Sequence, residues 1–140
     1  MEEQEQVSIL IVELDTRLMM NLELIAREED LKVLTCKDGL EVLKIIREKL
    51  PSLAIIDMNV PGLEAFDLCR LVKFDDRYQD IKVIILGNTT SNNYEEKAIK
   101  AGADDFLVKP LSNREMLSHI QMAVGCCRWR GQKIIWMDKS

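Results

Sequence analysis

The sequence holds a single histidine, His119, and four cysteines, Cys36, Cys69, Cys126 and Cys127, with no C-x-x-C spacing among them. A zinc site therefore lacks its usual donor set, and no serine or cysteine nucleophile has a base arranged beside it. In a reducing compartment the thiols are expected to be buried and free, and the adjacent Cys126–Cys127 pair would be strained as a bridge. Long apolar runs are missing too. A stretch such as Val83–Leu86 falls far short of the ~18 residues that a membrane helix needs. The opening residues, MEEQEQ, lack the basic and apolar parts of a signal peptide, so a cytoplasmic location and no membrane contact are expected. Nor is there an excess of positive charge: 19 Lys and Arg stand against 24 Asp and Glu, a net −5. Direct nucleic-acid binding is not expected, although Arg128, Arg130 and Lys133 make a small basic spot near the end.

What remains is ample for one folded domain. Of 140 residues, 47% are hydrophobic and 31% charged, too apolar a balance for a disordered chain. Five short runs rich in Val, Ile and Leu read as strands covered on both faces: Val7–Val12, Leu31–Thr35, Leu53–Ile56, Ile81–Leu86 and Asp105–Val108. Segments of helical period alternate with them. The first is capped by Asp15 and turns Leu18, Leu22 and Ile25 to one side, with Met19 and Met20 as gap fillers. The second opens D-G-L-E, with Asp38 as cap and Glu41 three residues on, and is expected to bury Leu40, Leu43 and Ile46 or Leu50. A third, from about Glu64 to Asp75, aligns Phe66, Cys69 and Val72 or Lys73, and Asp75–Asp76 reads as a turn. The fourth, from about Asn92 to Ala101, is short and polar, contributes Ala98 and Ile99, and carries a surface pair, Glu96–Lys100. The fifth opens with a capping box of Ser112 and Glu115, buries Leu117, Ile120 and Val124, and shows His119 to solvent. The pattern predicts an α/β fold, a doubly wound (βα)5 with a five-stranded parallel sheet and helices on both faces. It divides the chain into an N-terminal extension at 1–6, a domain at 7–125, and a helix extension or tail at 126–140. Ile134, Ile135 and Trp136 in that tail could pack on a partner.

In such a sheet, ligands gather beyond the carboxyl ends of the strands. Glu13 and Asp15 follow the first strand, Asp57 ends the third, and Lys109–Pro110 follow the fifth. Carboxylates and one ammonium at a common rim suit a divalent cation together with a phosphate-like ligand.

The stretches ILIVELD, LAIIDMNVPG, VIILGN and AGADDFLVKPL occur in this order inside the five-unit pattern, and over about residues 7–125 the chain resembles the receiver domain of response regulators. That resemblance implies the flavodoxin-like fold and two-component phosphorelay signalling. The chain would be a phosphoryl acceptor rather than an enzyme, with self-dephosphorylation at most. It further implies that Asp57 takes the group from a sensor histidine kinase or a phosphotransfer protein, and that Lys109 binds the phosphate. Mg²⁺ would be held by Glu13, Asp57, the backbone carbonyl of Asn59 and a reach from Asp15. Pro110 would follow a cis bond, Phe106 would be the signalling aromatic, and the fourth and fifth helices would meet a downstream effector or a second copy. Two positions depart from the family. Leu14 stands where a second acid is usual, which weakens the metal site, and Gly87 stands where a Thr or Ser hydroxyl is usual. These departures favour an alternative, a pseudo-receiver that works as a phosphorylation-independent interaction module. A cofactor binder or small hydrolase on the same sheet would need a phosphate loop after the first strand, and ELDTRLM offers none.

Overall fold

The computed structural model describes residues 7–132 except 14, 63 and 89–92, with side chains as far as Gly125. The expectations for 1–6, Leu14, the side chains of Cys126 and Cys127, and the docking tail Ile134–Trp136 lie outside the described residues. Five strands, β1 (Ser8–Val12), β2 (Lys32–Cys36), β3 (Leu53–Asp57), β4 (Lys82–Gly87) and β5 (Asp105–Val108), alternate with five helices. The helices are α1 (Thr16–Glu28), α2 (Gly39–Lys49), α3 (Ala65–Lys73), α4 (Tyr94–Lys100) and α5 (Asn113–Gln132). All pairings are parallel, as the alternation predicts, and the order is β2-β1-β3-β4-β5, the flavodoxin-like arrangement that the resemblance implies.

Alternation along each strand divides the core in two. Ile9, Ile11, Leu53, Ile55, Ile84 and Leu86 face α1 and α5, meeting Leu22, Ile25, Met116 and Ile120. Leu10, Val12, Ala54, Ile56, Val83 and Ile85 face α2, α3 and α4, meeting Val42, Ile46, Phe66, Val72 and Ala98. Because both faces are covered, every residue of β3 is buried, which explains the unbroken apolar run in the sequence.

Local signals started α1, α2 and α5 where they stood in the sequence, whereas α4 begins without a side-chain cap. Asp15 accepts from the Arg17 and Leu18 amides at 3.0 and 3.3 Å, and Asp38 accepts from Leu40 at 2.9 Å. Ser112 Oγ accepts from Glu115 N at 3.1 Å while Glu115 Oε1 accepts from Ser112 N at 2.9 Å, a reciprocal capping box. Which face each helix turned inward was less legible. In α2 the buried stripe is Gly39, Val42 and Ile46, whereas Leu40 and Leu50 are exposed. Both stripes have helical spacing, and the sheet accepts the branched one. Met19 is buried as a gap filler and Met20 is exposed. In α4 Ala98 is buried and Ile99 is exposed, so this short helix leans on the sheet through its smallest apolar residue.

Two polar side chains took places that the sequence did not advertise. Lys73 is only 12% exposed; its ammonium donates to the carbonyls of Gln79 and Ile81 at 3.0 and 2.8 Å and to Asp104 Oδ2 at 2.9 Å. The same Asp104 oxygen accepts from Val83 N at 2.8 Å, so one ion pair ties α3, β4 and the start of β5 together. His119 is not a free surface group. Its Nδ1 lies 2.7 Å from Oδ2 of Asp105, the first residue of β5. Glu96 and Lys100 do form the exposed surface pair, at 3.7 Å.

Candidate functional site

Three strand ends meet at one rim. Glu13 follows β1, Asp57 closes β3 and Lys109 follows β5; their positions continue the Ile11, Ile55 and Leu107 rows, all on the α1/α5 side. β1 and β3 pair through Val12 and Ile56, so the next residues, Glu13 and Asp57, stand beside each other. Lys109 N donates to Gly87 O at 2.8 Å, which extends the β4–β5 ladder by one step and sends the lysine side chain toward the acids. The Lys109–Pro110 peptide is cis.

The Lys109 ammonium bonds to Asp57 Oδ2, a residue 52 positions away in the chain, and to Glu13 Oε2 at 3.1 Å. Asp57 Oδ1 accepts from Asn59 N at 2.7 Å, and Glu13 Oε2 also accepts from Asp15 N at 3.0 Å. Glu13 and Asp57 are 1% and 3% exposed, the only polar or charged side chains buried this deeply among the described residues. The carboxylate of Asp15 is engaged in capping α1.

The two acids are driven apart electrically. Burial pushes the Glu13 carboxyl up to about 7, and the neighbouring Asp57 carboxylate adds to that. Burial would raise Asp57 as well, but the Lys109 ammonium and the Asn59 amide outweigh it and hold Asp57 below its ordinary value. Lys109, although partly desolvated, is raised by its two acidic partners. The pocket thus contains an ionised carboxylate, a fixed cation, and a second carboxyl that holds its proton more tightly than usual and titrates near neutrality.

A hard cation would find part of a ligand set here. Glu13 Oε1 is buried and has no hydrogen-bond partner among the described residues, the kind of orphaned oxygen that a divalent ion satisfies. Among the described residues no three His, Cys, Asp or Glu side chains converge as a metal-holding group. The carboxylates of Glu13 and Asp57, joined through the Lys109 ammonium, are what the described residues bring together here.

Around the pocket, Asn59 lies on its rim and Phe106 is half-buried beside β4. Gly87 ends β4, and the residues nearest the place of its missing side chain are Phe106 and Met58. Met58 is a contributor that sequence reasoning passed over. Its position directly after the acid, on the opposite face of the strand, is the signal that could have drawn attention to it.

A doubly wound parallel sheet with a buried acid–lysine pocket at its carboxyl rim is the class that fold and site define. Residues 9–121 match the family model for the response regulator receiver domain, and the chain belongs to that family: it is a receiver domain of a two-component system. The transcriptional regulatory protein AfsQ1 of Streptomyces coelicolor is 30% identical over 114 residues, 81% of this chain and 49% of that protein. The DNA-binding response regulator MtrA of Mycobacterium tuberculosis is 27% identical over 113 residues, covering 81% of this chain and 48% of its own length. This chain therefore spans about half the length of these curated relatives. Among solved structures, the signal receiver domain of a signal transduction histidine kinase from Syntrophus aciditrophicus superposes with a TM-score of 0.80 at 26% identity, covering 91% of this chain and 96% of that one. The receiver domain of the Pseudomonas aeruginosa sensor histidine kinase PA1611, solved with a magnesium ion coordinated in its active site cleft, has a TM-score of 0.76 at 21% identity, covering 86% and 99% of the two chains. At that identity the likeness concerns the fold alone. No helix among the described residues is long and apolar enough to cross a membrane.

Proposed function

We propose that Asp57 is the phosphoacceptor of this receiver, charged by the phosphohistidine of a partner sensor histidine kinase or phosphotransfer protein. The observation that carries this reading is the buried, ionised Asp57 carboxylate held against the Lys109 ammonium. An Asp57 carboxylate oxygen attacks phosphorus; the new P–O bond forms as the donor's P–N bond breaks, and the freed imidazole takes up a proton. Lys109 then exchanges its carboxylate partner for a phosphoryl oxygen and neutralises charge that gathers there. Glu13, Asp57 and the Asn59 carbonyl, with Asp15 at their edge, would hold Mg²⁺, which supplies charge neutralisation for the incoming phosphoryl group. Glu13 must lose its proton to serve, and because burial raises its pKa to about 7, proton and cation would compete for it near neutrality, so Mg²⁺ binding should strengthen as pH rises through that value. The output passes to a downstream effector protein or domain through the surface of α4 and α5, which is also the surface for pairing with a second copy.

A second reading is favoured by Leu14 and Gly87. With one acid and one hydroxyl fewer, the chain is a pseudo-receiver whose docking does not depend on phosphate. Incubation with Mg²⁺ and a small-molecule phosphodonor, read by intact mass, separates the two. A single phosphoryl adduct that disappears in Asp57→Asn supports the acceptor. No adduct, together with no response to Mg²⁺ and beryllofluoride, leaves the interaction module. Leu14→Asp should raise Mg²⁺ affinity, and an unchanged affinity would mean that the metal pocket is misassigned.

A further inference from the structure

Gly87 closes β4 and pairs with Val108, while Phe106 pairs with Ile85, so both lie on the α3/α4 side of neighbouring strands. A Cβ placed on Gly87 would meet Phe106 Cζ at 2.5 Å, Phe106 Cε1 at 3.0 Å and Met58 Sδ at 3.0 Å. Carbon atoms in contact sit about 3.5–4.0 Å apart, so the ring tip and the thioether already fill the volume that any side chain at this position would need. The backbone does not explain the glycine. Gly62 and Gly102 have positive φ, at 106° and 90°, but Gly87 is not among the positive-φ residues. What glycine supplies here is room. Met58, Tyr94 and Phe106 pack against the same half of the core, so apolar burial alone holds the ring, with no hydrogen bond from position 87 required.

We infer that Gly87 and the inward Phe106 ring form one steric unit, and that the ring stays inward whatever the state of the Asp57 pocket. The steric relation stands apart from the proposed function, while its consequence for signalling rests on it. Phe106 does not act as a switch, so any phosphorylation-dependent change in the α4 and α5 surface is carried by residues other than this ring. A partner that reads the position of this ring meets the same surface before and after phosphorylation.

The test is NMR of the full chain with isotope-labelled phenylalanine rings and a soluble paramagnetic agent that broadens exposed protons. There are three phenylalanines. Phe66 is 5% exposed and Phe74 66%, so they serve as internal buried and exposed standards. The wild-type Phe106 ring should show a contact to the Gly87 α-protons and partial protection, both unchanged by Mg²⁺ with beryllofluoride. In Gly87→Thr the ring should lose that protection and approach Phe74, with Gly87→Ala in between. Should Gly87→Thr fold poorly, its lowered denaturation midpoint should recover in the Phe106→Ala background, where the added side chain has room. Undiminished protection in Gly87→Thr, additive midpoints, or a wild-type ring that moves when the pocket is loaded would each overturn the inference. Absence of any response near Asp57 to Mg²⁺ and beryllofluoride counts against the phosphoacceptor reading alone, because the Gly87 variants are read without phosphate.

Discussion

Replacing Glu13 by glutamine should change how the stability of the domain depends on pH. A carboxyl with an ordinary pKa of 4.5 that is held at about 7 in the folded state binds its proton more tightly folded than unfolded. Stability from this group is therefore complete at low pH and is lost as pH rises from the unfolded value through the folded one. At 1.36 kcal/mol per unit, the full loss is about 3 kcal/mol, of which roughly 2–3 kcal/mol falls between about pH 5 and about pH 8. Asp57 has the opposite sign, because its depressed pKa adds stability that is lost only in acid below its ordinary value. Lys109, raised, loses its contribution only at alkaline pH. Neither enters the window. Urea denaturation of wild type and Glu13→Gln, without divalent cations, should show the variant gaining about 2–3 kcal/mol relative to wild type from about pH 5 to about pH 8. Parallel stability curves for the two proteins would refute the burial argument for Glu13.

Lys73→Met should lower stability by about 1–3 kcal/mol, since Asp104 and two carbonyls lose a charged donor, and thermal denaturation would register the loss. A neutral result would mean that the tether between α3 and β4 does not hold in solution. On α2, Ile46→Ala should cost about 2–5 kcal/mol and Leu40→Gln less than about 0.5 kcal/mol, because the former is fully buried and the latter 67% exposed. Chemical denaturation of the pair decides which stripe faces the sheet. Ser112→Ala should cost about 1 kcal/mol through loss of the α5 capping box, visible in the same assay.

The alternation of apolar runs with periodic segments was enough to determine five strands, five helices and the caps of α1, α2 and α5, because period and capping are local properties written in consecutive residues. The rim residues Glu13, Asp57 and Lys109 were legible for a related reason: each directly follows or ends a strand run, and parallel strands bring such ends to one side. Inward faces were harder. Leu40 and Ile99 have the right hydrophobicity and spacing, but the choice between two equivalent stripes is made by the shape of the opposing sheet. Long-range polar contacts away from the strand ends were illegible. The Lys73–Asp104 tether and the His119–Asp105 pair join residues 31 and 14 positions apart, and nothing local marks either partner. The orphaned oxygen of Glu13, the split between its pKa and that of Asp57, and the filling of the Gly87 space by Phe106 and Met58 likewise arose only on folding. Each depends on distances between segments that the chain brings together across the sheet, and desolvation and steric exclusion have no value until those distances are set.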